Sequence, residues 1–138
     1  MDDIFNIQDE IALAITEKLK VTLVEQERKR VSRNYTQNHE AYELFLKGKF
    51  YTNKRGVHIP TGSHYFQKAI EIDHSFALAH AGLADSNSLI ASYGLVPPRQ
   101  VMNEIKLAAE TAIKLDPAMC EPYCSLGYYY NKIVLFDF

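Results

Sequence analysis

Cysteine is scarce in this chain: its 138 residues contain two, Cys120 and Cys124. Two cannot make a disulfide framework, and at i,i+4 on one helix they sit too far apart and too parallel for an easy mutual bond. Long apolar runs are missing as well, since none approaches the ~20 residues that a membrane span needs. Neither sign of charge is in excess. Fifteen Lys+Arg against seventeen Asp+Glu give a net charge of −2, which excludes the global basic field on which nucleic-acid binding relies. The opening Met1-Asp2-Asp3 is acidic where a secretion signal is basic. These absences lead to the expectation of a reduced, cytoplasmic protein with neither a nucleic-acid nor a membrane partner.

What is present is the composition of a folded domain. Hydrophobic residues make up 47% and charged ones 23%, ordinary proportions for a soluble globular chain. A compact chain of this size buries roughly two thirds of its unfolded surface, enough for a real core. No segment alternates with period 2, whereas apolar residues recur at three- and four-residue spacing along most of the length, so the fold class is all-α. Ile4, Ile7, Ile11, Ile15 and Leu19 mark a first helix over residues 3–20, with Asp2 and Asp3 at its positive end. The β-branched residues within 20–23 interrupt that pattern. A charged helix over 24–31 and a polar linker over 33–37 complete an N-terminal helical segment, residues 1–35.

Residues 36–138 change character. Asn38 suits a helix N-cap, and Ala41, Leu44, Phe45, Gly48 and Tyr51 share one helical face. Two glycines and Pro60 mark a loop over 56–62. Phe66, Ala69, Ile70 and Ile72 carry the next helix, and another covers 76–92. After Pro97-Pro98 a fourth runs to Leu115 with Val101, Ile105, Ala108, Ala109, Ala112 and Ile113 inward. A last helix follows Asp116-Pro117.

The residues that carry chemistry are poorly arranged for it. Arg55-Gly56 and Thr61-Gly62-Ser63 have the look of a phosphate loop, but the glycines are one residue too far apart and no lysine stands where phosphates need it. His39, His58, His64, His74 and His80 never fall at i,i+4, so no helical pair presents a zinc face. Arg28, Lys29, Arg30 and Arg33 form a basic cluster that reads as a solvated helix end. No metal, cofactor or catalytic group is expected, and the chain is read as a non-enzyme.

Two stretches nearly repeat. Lys68-Ala69-Ile70-Glu71-Ile72-Asp73-His74 matches Thr111-Ala112-Ile113-Lys114-Leu115-Asp116-Pro117 at a spacing of 43 residues. His80-Ala81-Gly82-Leu83-Ala84 then lies over Tyr123-Cys124-Ser125-Leu126-Gly127. Helical pairs repeated at such a period bury their apolar faces against neighbours, as solenoids do. With Leu44, Gly48, Tyr51, Phe66 and Ala69 in a first unit, Leu83, Ala84, Ala109, Ala112 and Pro117 in a second, and Tyr123, Leu126, Gly127 and Tyr130 in a third, the chain resembles the tetratricopeptide repeat family. That resemblance implies an antiparallel helix-pair solenoid of two complete units and a truncated third. Gly48, Ala84 and Gly127 would then let paired helices approach closely. The loops inside both complete units are longer than the family norm. Residues 3–12 look like the tail of the small domain that precedes such repeats in certain bacterial signalling proteins, which implies a fragment of a larger chain carrying a cyclase, kinase or DNA-binding domain.

The resemblance also implies a function: binding a peptide or partner domain in a concave groove. By family position the groove residues are Tyr42, Phe45, Lys49 and Asn53, then Leu78, Ala81, Asp85 and Leu89, then Glu121, Cys124, Tyr128 and Asn131. Among the three consecutive tyrosines, Tyr130 is assigned to packing and Tyr128 to contact. The alternative is a structural spacer between a signalling domain and downstream repeats, or a regulatory segment of a multidomain adenylate cyclase or kinase. Tyr123, Leu126, Tyr130, Ile133, Val134, Leu135, Phe136 and Phe138 would lack a covering helix, so a homodimer through this end is expected.

Overall fold

A computed structural model describes residues 2–34 and 36–136, with side chains described for 6–26 and 36–135. The side chains of Arg28, Lys29, Arg30, Arg33 and Phe136, and all of Phe138, lie outside the described residues. No strand occurs among the described residues, as the periodicity requires. The chain divides into two units, Met1–Ser32 and Arg33–Phe138.

The first unit is one helix, α1 (Asp2–Asn34). The expected break at residues 20–23 does not occur. β-Branched residues reduce helix propensity by well under ~1 kcal/mol each, and Thr22 turns its hydroxyl back onto the Lys18 carbonyl at 2.9 Å, as Thr16 does onto Ala12 at 2.8 Å. The helix also takes in residues 33 and 34, the first two of the stretch expected to be a linker, while Thr36 and Gln37 are non-helical as expected. Every described side chain of α1 over residues 6–26 is exposed, including Ile7, Ile11, Ile15 and Leu19.

The second unit holds five α-helices among the described residues: α2 (His39–Asn53), α3 (Ile59–Ile72), α4 (Ala77–Ser92), α5 (Pro98–Leu115) and α6 (Glu121–Phe136). Helix α2 packs on α3 and α4 on α5; α3 also packs on α4, and α6 lies against both α5 and α4. The result is two packed pairs followed by a single helix. Asn38 caps α2 as expected, its side chain accepting a hydrogen bond from the Ala41 N–H at 3.0 Å. Helix α3 starts inside the expected 56–62 loop: Pro60 occupies its first turn, where a missing N–H costs nothing, and Gly62 is helical and buried. Just before it, Arg55 and Gly56 take φ of 63° and 58°, reversing the chain in a single short turn. The second connection is not a long loop. Five residues, 93–97, join α4 to α5, and the extra length lies in the two helices, which have 16 and 18 residues.

The sequence repeat is a structural repeat. Helices α3 and α5 both end on an aspartate in extended backbone, Asp73 (φ −135°, ψ 96°) and Asp116 (φ −147°, ψ 94°). Each carboxylate accepts a hydrogen bond from the N–H two residues on, Ser75 and Ala118, at 3.0 and 3.1 Å. Each turn then drives a bulky residue into the core, Phe76 in one and Met119 in the other, both 1% exposed.

The core begins with Ala41, Phe45, Phe66, Ala69, Phe76 and Ala79. It continues through Ala77, Ala81, Ala112 and Met119 to Met102, Ile105 and Tyr129. Alanine-rich contacts let α4 and α5 approach closely. Gly48 and Gly82 do the same from α2 and α4, since a Cβ on either would stand 2.7 or 2.6 Å from the Phe66 ring. Gly127 has no such role: nothing lies within 4 Å of a Cβ built there, because no other described helix of the second unit covers that face of α6. For the same reason Tyr130 and Tyr123 stay about half exposed, and α6 instead turns Pro122, Ser125 and Tyr129 toward α4 and α5. The assignment of Tyr130 to packing therefore passes to Tyr129.

Candidate functional site

Helices α2, α4 and α6 together line a cavity of about 250 Å³. Its walls are Phe45 and Lys49 from α2, Leu78, Ala81, Gly82 and Asp85 from α4, and Glu121 and Cys124 from α6. Their spacing explains the arrangement. Phe45 and Lys49 stand at i,i+4, as do Leu78 and Gly82 and, three residues further on, Ala81 and Asp85, so each helix gives one stripe to a common surface. Glu121 and Cys124 bring the first turn of α6 to the same place. Phe45 and Ala81 are buried and form the floor, while Lys49, Asp85, Glu121 and Cys124 are exposed at the rim.

The rim charges are mixed and they act on Asp85. Loss of water in the cavity wall raises its carboxyl above the usual aspartate value; Lys49 and Arg55 pull it back and Glu121 pushes it further up. A carboxylate set between two cations and a second carboxylate beside an apolar floor can hold a polar or charged side chain next to an apolar one. Both cysteines are free thiols on the exposed surface. Among the described residues no group of three or more His, Cys, Asp or Glu side chains could hold a metal ion.

No family model, curated protein or solved structure matches the chain. The site stands on its own geometry.

Of the twelve residues assigned to a groove from the sequence, seven meet in this cavity: Phe45, Lys49, Leu78, Ala81, Asp85, Glu121 and Cys124. The other five lie elsewhere. Tyr42 is half-buried and stacks beside Phe45 with ring centroids 6.3 Å apart. Asn53 is exposed at the end of α2, Asn131 is exposed on α6, and Leu89 is half-buried on α4. Tyr128 is half-buried against the Met102, Ile105 and Tyr129 cluster, with Lys132 5.4 Å above its ring and its buried hydroxyl without a hydrogen-bond partner. Gly82 and Arg55 belong to the site's surroundings and were not singled out for it. A glycine next to Ala81 on the groove face was the available signal for the first. Nothing local announces that the charge of a loop arginine is felt at Asp85.

Behind the cavity, polar side chains tie three helices together. The Ser63 hydroxyl on α3 donates to Asn87 Oδ1 on α4 at 2.9 Å, and Asn87 Nδ2 donates to Glu104 Oε2 on α5 at 3.3 Å. Thr36, just before α2, donates to the Asp73 carboxylate at the end of α3. This bond is the foremost cause holding Asp73 below the usual aspartate value. These ties fix α4, one wall of the cavity, against α3 and α5, and the start of α2 against the end of α3.

Proposed function

We propose that this chain is a non-enzymatic protein-interaction module, a tetratricopeptide-like stack of helix pairs whose concave face binds a peptide or a partner domain. The observation that carries the reading is the convergence of seven residues, chosen by their place in the repeat, on one cavity between α2, α4 and α6. An apolar floor of Phe45 and Ala81 under a rim of Lys49, Asp85 and Glu121 suits a short segment that presents one apolar anchor and one charged side chain. The two structural repeats, with matching Asp73 and Asp116 turns, support the stacked architecture.

The test is selection of peptides from a random display library against the intact chain, followed by calorimetric titration. Lys49→Glu and Cys124→Arg alter exposed rim positions without touching the core. Selected peptides should lose at least tenfold in affinity to each variant, a change of about 1.4 kcal/mol. Peptides whose binding both variants leave unchanged would remove the groove from consideration.

A second element of the reading is self-association through α6. Its uncovered side exposes Tyr123, Tyr130, Val134 and Leu135, with Val134 81% exposed. A twofold contact between copies is the simplest cover for such a stripe.

A further inference from the structure

The net charge of −2 conceals a strongly polarised surface. Between Glu43 and Glu71 the chain carries four lysines and one arginine and no carboxylate at all. Lys49 lines the groove with Asp85 and Arg55 adds its charge there, but Lys47, Lys54 and Lys68 lie on a different surface, built by α2 and α3 outside the groove. There Tyr51 and Tyr65 stack with centroids 5.5 Å apart and planes 13° from parallel, and Phe50 meets Tyr51 edge-on at 5.3 Å. Lys47 and Lys68 stand 6.0 and 5.9 Å from the Tyr65 centroid, and Lys54 stands 4.5 Å from that of Phe50. All three ammonium groups are exposed, and each rests on an aromatic ring rather than on a described carboxylate. Apolar side chains are exposed among them: Leu46 one turn before Phe50, Phe50 itself at 56%, and Val57 at 75% in the turn that follows Lys54.

We propose that this face, Lys47, Phe50, Lys54 and Lys68 around the Tyr51–Tyr65 stack, seats on the surface of an anionic lipid bilayer. Lysines are point charges without a required hydrogen-bond geometry, which suits a fluid layer of lipid phosphates. Phe50, Leu46 and Val57 are placed to enter the headgroup boundary, and tyrosines are at home there. Single-stranded nucleic acid fits less well. It needs free ring faces for its bases, and here the two tyrosines cover each other while ammonium groups cover other faces. The remainder of the second unit, with its excess of carboxylates, is repelled by the same surface, so this unit approaches by its α2–α3 face.

Co-sedimentation of the full 138-residue chain with vesicles tests this. Vesicles of phosphatidylcholine alone should leave it in solution, and vesicles with one third phosphatidylglycerol should carry it down, less so as salt is raised. Each lysine near an anionic surface contributes about fivefold in partitioning, so Lys47→Gln, Lys54→Gln and Lys68→Gln together should reduce it about a hundredfold. Phe50→Ser should reduce it by about tenfold. All four positions are exposed, and an unchanged melting temperature checks that each variant folds; the single lysine variants serve if the triple one does not. Failure to bind anionic vesicles overturns the proposal. Binding that the triple variant leaves intact does so too, because another surface, such as the aliphatic side chains of α1, would then be responsible. Binding of an oligothymidylate that the triple variant abolishes, with no vesicle binding, would reassign the face to nucleic acid.

Discussion

Substituting Gly82 by alanine sets two opposed effects against each other, and the geometry decides which is larger. Gly82 lies inside α4, where alanine is favoured over glycine by about 1 kcal/mol of helix propensity. Against this, the added Cβ would stand 2.6 Å from Cε1 and 2.7 Å from Cζ of Phe66, where carbon atoms ordinarily sit ~3.5–4.0 Å apart. The ring must therefore withdraw by about 1 Å. Its same edge is already held by Gly48 of α2, where a Cβ would stand 2.7 Å away, and Phe45 lies 5.7 Å from it centroid to centroid. Phe66 is 1% exposed, so there is no solvent side into which it can swing. Overpacking of this kind costs about 1–3 kcal/mol; taking it toward the upper end, the net effect is a loss of about 1–2 kcal/mol. For a unit of this size that corresponds to a melting temperature lower by roughly 5–12 °C, measurable by circular dichroism. The cycle is closed with Phe66→Leu, whose smaller side chain makes room. Gly82→Ala should cost less in the Phe66→Leu background than in the original, with a coupling of about 1 kcal/mol. A Gly82→Ala variant that melts higher than the parent would refute the argument, because propensity would then have won and Phe66 could not be wedged as described. Gly48→Leu, which puts far more volume against the same ring edge, should cost at least about 2 kcal/mol.

Three further outcomes follow from the polar groups. Asp73 is held below its ordinary value chiefly by Thr36, so its contribution to stability is present above 3.8 and is lost as pH falls through the lower folded value. Thr36→Val should thus lower the melting temperature at neutral pH, and the difference from the parent should shrink in strong acid; a pH-independent difference would show that the hydrogen bond is not to the charged carboxylate. Asp85 has the opposite sign: its raised value means that stability is greatest below 3.8 and is lost as pH rises through the folded value. Asp85→Asn should therefore melt higher than the parent at neutral pH and lose that advantage in acid. Asn87→Ala leaves the buried Ser63 hydroxyl without its acceptor and should cost about 1–3 kcal/mol in chemical denaturation. Val134→Asp on the exposed stripe of α6 should reduce the mass found by light scattering from dimer to monomer while leaving the melt unchanged; a parent chain that is already monomeric at high concentration would end the self-association reading.

The elements of the second unit were legible because their cues are local. A capping asparagine at 38, prolines at 60 and 98, and apolar residues at helical spacing each act within a turn or two of the chain. What local cues missed is what depends on a neighbour. The β-branched residues at 20–23 argue for a break only if nothing else favours the helix, and backbone hydrogen bonds already present on both sides outweigh a few tenths of a kcal/mol. Gly62 has the look of loop punctuation, yet it sits in α3 because a Cβ there would collide with the Gly48 carbonyl at 2.8 Å and the Thr52 N–H at 2.9 Å. Phe76 and Met119 carry no periodicity, since each lies in a turn; only the repeat aligns them, and only the packing shows that both are core.

The groove and the basic face differ in the same way. Assigning groove residues by repeat position works where the repeat is complete on both sides, so residues in the middle of α2 and the first half of α4 converge with the start of α6. It fails at Tyr42 in the first turn of α2, at Asn53 and Leu89 toward the ends of α2 and α4, and along α6 beyond its first turn. Tyr128, for example, is drawn into contact with α5, because α6 has helices on one side only and rotates its bulkiest buried residue, Tyr129, toward them. The basic face was hidden by averaging rather than by distance. A whole-chain balance of fifteen cations and seventeen anions says nothing about where they lie, and the stretch without carboxylates between Glu43 and Glu71 is long enough to wrap two packed helices. Three of its lysines end on one aromatic surface, and the two other cations act on Asp85. That division is set by the helical period: Lys47 and Lys54 are seven residues apart, two turns on one side of α2, while Lys49 projects about 200° away from Lys47. One acid-free stretch therefore supplies both the cationic rim of the cavity and a separate exposed cationic face.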